Sequence, residues 1–385
     1  MPIARGDAVA LTRELVRVDS RNPSLVPGGP GESEVAKTLA AVLHDWGLRV
    51  DLQHAAPHRP NVIARAGRAG VRTLMFNGHL DVVGIEGMAH APWDAFQREG
   101  RIYGRGSADM KAGVAAMCAA AARAANELEG QIVITAVIDE EYESIGTRAL
   151  VAAGVRADAA IVTEPTGLAI MPAHLGFVWA DVTVYGRAAH GSRWDLGVDA
   201  IRQAGFFLTE LDRMDAEDLP QKAHPLLGRP SVHASLIEGG TGMSTYPDQC
   251  CIHIERRTIP GEKPADVELE LRAACDRVAE YRPGFNAGVR ITFSQEPSDV
   301  ALEAPIVRAL STAICDDDDE PRIAGMSAWT DAAILNAAGI PAVCFGPGDI
   351  GLAHAAEEYV PVFEIERATT ILASLAKKWC SVRIA

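Results

Sequence analysis

A histidine and an aspartate stand two positions apart at the end of an apolar run. The run LMFNGHLDVV covers residues 74–83 and carries His79 and Asp81. A neutral imidazole is the most common protein ligand for zinc, and a nearby carboxylate can accept a hydrogen bond from its second ring nitrogen. Taken alone, the pair is more often a strand followed by a turn with a solvated aspartate. The choice between the two interpretations depends on the rest of the chain.

Further carboxylates and a second histidine follow other apolar runs. They are Glu140 and Glu141 after residues 131–138, Glu164 after residues 159–163, His354 beyond residues 341–345, and Asp109 in the glycine-rich turn at residues 104–113. Each has an ordinary alternative, such as a helix N-cap for Asp109 or a surface position for His354. Because ligands bind at the carboxyl ends of the strands in an open α/β sheet, we expect these side chains to converge there.

Two histidines and several carboxylates meet the ligand needs of a pair of divalent cations. Two cations about 3.5–4 Å apart share a bridging carboxylate and a bridging water whose pKa falls towards neutrality. A donor set without thiolate suits zinc or a similar ion. One carboxylate has to stay off the metals to take the proton of that water. Since adjacent side chains point in different directions, Glu140 and Glu141 can divide these tasks.

The elements around these residues alternate between amphipathic helices and apolar strands, which indicates an α/β layer fold with a mixed sheet. From residue 177 the order becomes strand, helix, strand, strand, helix, strand, as in a ferredoxin-like α+β module. We therefore expect a discontinuous catalytic, metal-binding domain at residues 1–176 and 294–385. A second domain is expected to be inserted at residues 177–293.

Composition excludes several classes of partner. The chain has 385 residues, 48% hydrophobic and 23% charged, which is ordinary for a soluble protein of two domains. Its net charge of −15 argues against nucleic acid or an anionic membrane as partner. No apolar leader follows Arg5 and no run approaches a membrane span, so we expect a cytoplasmic protein. The seven cysteines contain no C-x-x-C pair and are interpreted as reduced structural residues.

Nucleotide and serine-hydrolase motifs are not supported. The chain has no G-x-x-x-x-G-K-[ST] loop and no G-x-S-x-G elbow. Residues 346–351 spell G-x-G-x-x-G, but Pro347 lies in the turn and no βαβ unit with a downstream ribose acid follows.

Five ordered motifs resemble the M20 metallopeptidase family, the group of acetylornithine deacetylase, succinyl-diaminopimelate desuccinylase, aminoacylase and carboxypeptidase G2. They are GHLDVV at residues 78–83, GRGSADMKAG at 104–113, DEE at 139–141, TEPT at 163–166 and LAHAAEEYV at 352–360. The resemblance covers nearly the whole chain. It implies a zinc-exopeptidase-like catalytic domain and an inserted domain that acts as lid and as homodimer contact.

The resemblance also implies a role for each residue of the expected centre. His79 and Glu164 would hold one metal, and Glu141 and His354 the other. Asp109 would bridge the two ions.

Further roles follow from the same resemblance. Glu140 would act as general base and acid, with Asp81 orienting His79. His190, in the stretch GRAAHGS, would reach the neighbouring subunit's site and stabilise an oxyanion. Arg257 would bind the substrate carboxylate. The alternative is that Arg257 forms only a salt bridge at the end of its strand.

The loop at residues 239–244 departs from the family pattern. Ser244 stands where many relatives carry asparagine. Its part in substrate binding is therefore open.

The expected function is cleavage of the amide bond of an N-acyl amino acid by a metal-bridging hydroxide. Two divalent ions per subunit are expected, zinc first, with cobalt or manganese as alternatives. A dipeptidase or carboxypeptidase of the same family is the nearest rival. A metal-binding protein without catalysis is the rival from another class.

Overall fold

The computed structural model describes residues 2–69, 71–317 and 319–381. The extreme ends of the expected outer domain, residue 1 and residues 382–385, lie outside the described residues. Among the helices of the described chain, none has the length and apolar character needed to cross a membrane.

Helices and strands alternate along much of the chain. The helices are α1 (Ala8–Val16), α2 (Ser33–Asp45), α3 (Ala112–Ala124), α4 (Ile145–Ala152), α5 (Ala200–Arg213), α6 (Pro264–Tyr281), α7 (Pro305–Cys315), α8 (Ala332–Ala337) and α9 (Val362–Ser381). The strands are β1 (Arg49–Ala56), β2 (Arg59–Gly67), β3 (Thr73–His79), β4 (Gln97–Arg98), β5 (Arg101–Tyr103), β6 (Gln131–Val137), β7 (Ala159–Val162), β8 (Ile170–His174), β9 (Gly176–Tyr185), β10 (Ser231–Gly239), β11 (Gln249–Thr258), β12 (Asn286–Gln295), β13 (Ser298–Asp299), β14 (Ile323–Met326), β15 (Ala342–Cys344) and β16 (Tyr359–Pro361).

Contacts divide the chain into two compact units. The first comprises Met1–Pro172, Val300–Ala324 and Thr330–Ala385, and the second comprises Ala173–Asp299 and Gly325–Trp329. The second unit is therefore inserted into the first. The expected α/β class with an inserted α+β domain is confirmed.

A mixed sheet forms the centre of the first unit. Its strand order is β1-β2-β6-β3-β7-β15-β8, with β6, β3, β7 and β15 parallel to one another. Strand β6 is buried on both faces: Ile132 and Ile134 pack in the cluster that includes α3 and α9, whereas Val133 and Val137 pack with Leu150 of α4. A strand that is covered on both faces has a continuous apolar sequence, which explains the apolar run at residues 131–138.

Helix α3 lies close to the sheet because its residues are small. A Cβ added at Gly113 would stand 1.9 Å from the carbonyl oxygen of Thr163, just beyond β7. The regular helix begins at Ala112. Asp109 has φ −117° and ψ 96°, so the turn before the helix is extended at that residue.

The second unit has the expected ferredoxin-like order. Strands β9 to β12 form an antiparallel sheet in the order β10-β11-β9-β12. Alternate residues of β9, among them Val178 and Val182, pack against Phe207 of α5 and Leu271 of α6. The other face of the sheet carries the remaining residues of each strand.

Candidate metal centre

The parallel strands of the first unit deliver the expected residues to one edge of the sheet. His79 is the last residue of β3, and Glu164 follows β7 by two positions. Glu140 and Glu141 follow β6, and His354 lies in the loop after β15. Since β6, β3, β7 and β15 are neighbours, their carboxyl ends bring these side chains together.

Asp109 lies between the two histidines. Its Oδ1 is 3.0 Å from His79 Nε2, and its Oδ2 is 3.5 Å from His354 Nε2. His354 Nε2 is in turn 3.0 Å from Glu141 Oε2. A carboxylate with one oxygen directed at each of two imidazoles has the arrangement that a bridging ligand needs.

Two sets of ligand atoms overlap at His79. One set is His79, Asp109 and Glu141, and the other is His79, Glu140 and Glu164; within each set the ligand atoms lie within 4.8 Å of one another. Glu140 Oε2 is 3.9 Å from His79 Nε2. Glu140 therefore lies in the same cluster as residues that are expected to bind metal, although farther from His79 than Asp109 does.

Burial makes the carboxylates of this cluster costly to ionise. It raises the pKa of Glu140 and Glu164 well above their ordinary value. The charge of Glu164 adds to the rise for Glu140, and the charges of Asp109, Asp331 and Glu141 add to the rise for Glu164. The pKa of Glu141 is raised by burial and by the charge of Asp109. Oε1 of Glu164 is buried without a hydrogen-bond partner among the described residues. An orphaned carboxylate oxygen and an excess of buried negative charge fit divalent cations.

The pKa values of the two histidines are raised and that of Asp109 is lowered, so the charged forms of these three groups are favoured. The hydrogen bond to Glu141 raises the pKa of His354 to about 9, against burial. Burial lowers the pKa of His79, but its hydrogen bond to Asp109 and the surrounding carboxylates outweigh burial and raise it well above the ordinary value. For Asp109 burial is likewise outweighed, chiefly by His79, and its pKa is lowered.

Asp81 fixes His79 through a different atom from the one expected. His79 Nδ1 lies 2.9 Å from the main-chain carbonyl oxygen of Asp81 and 3.7 Å from its carboxylate. The carboxylate instead accepts the backbone N–H groups of Glu140 and Glu141 at 3.1 and 3.2 Å. Asp81 thus positions both the imidazole and the turn that carries the two glutamates.

Asp81 belongs to a network of hydrogen-bonded polar side chains that the sequence did not predict. Asn22 donates to Asp81 at 2.8 Å and to Asp139 at 3.1 Å. Arg59 donates to Asp139 at 2.8 Å and to Glu32 at 2.6 Å. The sequence gave neither Asn22 nor Asp139 a role, and no local pattern reveals contacts between residues so far apart.

Glu358 holds the turn that carries Asp109. Its Oε2 accepts from Arg105 at 2.6 Å and from the N–H of Gly106 at 3.1 Å. Its Oε1 accepts the N–H groups of Ala108 and Asp109 at 3.0 and 3.2 Å. Glu358 lies in the motif at residues 352–360, and this motif is the sequence feature that could have identified it.

The other expected site residues belong to the second unit. His190 is exposed, and its Nδ1 is 2.8 Å from Ser192 Oγ. Ser244 lies in a neighbouring loop, where its carbonyl oxygen accepts the N–H of Gly191. Arg257 is the residue before the last of β11, with Nε 2.6 Å from Glu255 Oε1. The roles of these three residues stay predictions.

Buried His79, exposed His354 and the buried carboxylates between them, at the carboxyl edge of a mixed α/β sheet, define a metal-dependent hydrolase. The model of the peptidase family M20/M25/M40 matches residues 75–378. The chain is 32% identical to an acetylornithine deacetylase of Myxococcus xanthus, over 97% of this chain and 98% of the relative. It is 28% identical to the N-formyl-4-amino-5-aminomethyl-2-methylpyrimidine deformylase of Bacillus subtilis, over 89% of this chain and 88% of the relative.

A solved structure supports the same fold. The Bacillus subtilis YXEP protein, a dinuclear metal-binding peptidase from the M20 family, superposes with a TM-score of 0.73 at 16% identity, covering 97% of each chain. The chain belongs to peptidase family M20/M25/M40, as its motifs indicated, and is a metal-dependent amidohydrolase.

Proposed function

We propose that this protein hydrolyses the amide bond of an N-acyl amino acid, using two divalent metal ions, zinc by preference. The observation that carries the proposal is the position of Asp109, with one carboxylate oxygen towards His79 and the other towards His354. In this arrangement His79 and Glu164 would hold one ion, and Glu141 and His354 the other. When bound, the ions would polarise the amide carbonyl and lower the pKa of a water molecule.

Glu140 is the residue proposed to move the proton. Its carboxylate is buried beside His79, and its backbone N–H is fixed by Asp81. It would take a proton from the attacking water and give it to the nitrogen of the departing amine. Burial raises the pKa of this carboxyl group, which favours holding a proton between the two transfers.

The second unit supplies the remaining proposed roles. His190 is exposed on a loop, which suits an imidazole that acts in the site of a second subunit. Arg257 is bound through Nε to Glu255 and lies over the ring of Phe177, with its centre 5.3 Å from the ring centroid. Its terminal nitrogens would bind the substrate carboxylate. Ser244 lies at the opposite end of β11 and would contribute to substrate binding separately. This proposal requires a homodimer formed through the inserted unit.

We favour a deacylase function over a peptidase function because the relatives at 32% and 28% identity carry the names of a deacetylase and a deformylase. Acetyl and formyl amides share a small acyl group, and both names describe removal of that group from nitrogen. The solved peptidase structure that the chain resembles is 16% identical in sequence.

A parallel substrate panel tests the proposal. The purified zinc-loaded enzyme is assayed with N-acetylornithine, N-succinyl-diaminopimelate, other N-acetyl and N-formyl amino acids, and dipeptides. We expect kcat/KM for one N-acyl amino acid to exceed that for every dipeptide. A higher kcat/KM for dipeptides would transfer the protein to the peptidase group, and tight metal binding without turnover on any member would support a non-catalytic role.

Mixed dimers test the role of His190. We expect His190→Ala to lose kcat with little change in metal content. Mixing it with a Glu140→Gln chain should restore part of the activity if each site uses residues from two subunits, since one site of the mixed dimer then joins an intact Glu140 to the neighbouring chain's intact His190. No restoration in the mixture would contradict the shared site.

A further inference from the structure

A second cluster of metal-ligand side chains lies in the inserted unit. Strands β9 and β11 are antiparallel neighbours in which Asp181 stands opposite His253 and Thr183 stands opposite Cys251. Because side chains alternate between the two faces of a strand, Asp181, Cys251 and His253 share one face. The helices α5 and α6 pack on the other face, against residues such as Val182 and Ile252.

The three ligand atoms are already close together. A carboxylate oxygen of Asp181, Sγ of Cys251 and a ring nitrogen of His253 all lie within 4.8 Å of one another. His253 Nδ1 and Asp181 Oδ1 are 2.8 Å apart. All three residues are half-buried, so an ion here would be partly shielded while remaining open to exchange with solvent.

Neighbouring side chains fix two of the three groups. Arg290 Nη2 donates to Oδ2 of Asp181 at 2.5 Å, which leaves Oδ1 turned towards His253. Thr183 Oγ1 donates to Sγ of Cys251 at 3.8 Å. Partners of this kind orient ligands in metal sites.

A pocket of about 300 Å³ adjoins the cluster. Asp181 and His253 line it, together with Trp179, Leu236 and Glu255. A water molecule or another small ligand could therefore reach an ion held between the strands. Three protein ligands with one position open to solvent is a known arrangement for zinc.

We propose that Asp181, Cys251 and His253 form a second metal site, which binds one zinc or similar borderline-soft ion separately from the centre of the first unit. The donor set of thiolate, imidazole and carboxylate selects such an ion over magnesium or calcium. Binding requires neutral His253 and the thiolate of Cys251, so it releases protons. The sequence interpreted all seven cysteines as structural, and Cys251 is the exception proposed here.

Cobalt(II) distinguishes this site from the proposed catalytic centre, because none of the centre's ligands is a cysteine. Cobalt bound to thiolate gives an intense sulfur-to-metal charge-transfer absorption in the near ultraviolet, which nitrogen and oxygen ligands do not give. The full-length metal-free protein, reduced and carrying Cys315→Ser to remove the exposed thiol, is titrated with cobalt chloride. We expect the band to reach the intensity of one thiolate-bound cobalt per chain, at no more than three equivalents in total, because the proposed two-metal centre also takes up cobalt.

Variants identify the ligands. Cys251→Ser should abolish the band, whereas Cys250→Ala should keep it, since Cys250 is buried on the opposite face. His253→Ala should weaken cobalt binding by at least about tenfold. Circular dichroism checks that each variant is folded.

The reverse results would overturn the site. No charge-transfer band in the parent, or a band that survives Cys251→Ser, would show that the cluster is only a cross-strand ion pair. Unchanged cobalt affinity in His253→Ala would remove the histidine and with it the proposed geometry. Failure of the catalytic proposal would instead change turnover and leave this band intact.

Discussion

Replacing Glu358 by glutamine would weaken the support of the turn that carries Asp109. The carboxylate accepts four hydrogen bonds, from Arg105 and from the N–H groups of Gly106, Ala108 and Asp109. Burial raises its pKa to about 6 despite the charge of Arg105, so the group is ionised at pH 8. At that pH the glutamine variant differs from the parent by a full charge.

The cost follows from the hydrogen bonds that glutamine cannot make. Its amide nitrogen does not accept, so two of the four donors lose their partner and Arg105 stays buried without its counter-ion. Hydrogen bonds to charged groups contribute about 1.5–3 kcal/mol each, and breaking a buried ion pair costs about 3–5 kcal/mol. We expect Glu358→Gln to lower the free energy of unfolding by about 3–5 kcal/mol. Metal affinity should fall about 10–100-fold because Asp109 loses its support.

Urea denaturation of the metal-free protein at pH 8 measures the first effect, and competition with a chelator measures the second. Glu357→Gln is the matched control, since Glu357 is exposed beside Glu358 and should change stability by less than about 0.5 kcal/mol. A Glu358→Gln variant within about 1 kcal/mol of the parent, with unaltered metal affinity, would refute the reasoning.

Three further changes probe the surroundings of the centre. Arg59→Met leaves two buried carboxylates without their cation, so urea denaturation should show a loss of about 3–5 kcal/mol, and a loss below about 1 kcal/mol would contradict the expected cost. In Gly113→Ala the added methyl group collides with the carbonyl oxygen of Thr163, and the free energy of unfolding should fall by about 1–3 kcal/mol. In the control Gly205→Ala the methyl group meets no other atom, and the free energy of unfolding should rise by up to about 1 kcal/mol. Equal effects of the two changes would argue against the close packing of α3. Asp81→Ala should lower metal affinity about 10–100-fold while both metal equivalents remain by metal analysis, and loss of a whole equivalent would make it a ligand.

The long elements were predictable because their patterns are local. Five of the seven residues of strand β6 are β-branched, and β9 alternates so regularly that its buried face could be assigned before its partners were known. Convergence of the candidate residues followed from a general rule of parallel sheets, once the strands were ordered. These parts need only periodicity and the position of polar residues at strand ends.

Short and long-range features were not predictable in the same way. Strand β5 has three residues, and its partner β16 lies more than two hundred positions further on. Glu358 and Arg59 are polar residues whose burial depends on segments distant in sequence, so no window around them signals it. The main-chain carbonyl that accepts from His79 has no sequence signature at all, because every residue carries one.

Glu140→Gln, measured for metal content and turnover together, tests the central claim most directly. The structure groups the carboxylate of Glu140 with His79 and Glu164, within 4.8 Å of one another, so the variant has to separate a proton carrier from a ligand. Elemental analysis of the variant should find both metal equivalents retained, with kcat on the best N-acyl amino acid reduced by about 10²–10⁴-fold. Near-normal turnover, or loss of a metal equivalent, would contradict the role of Glu140 as the general base of a two-metal amidohydrolase.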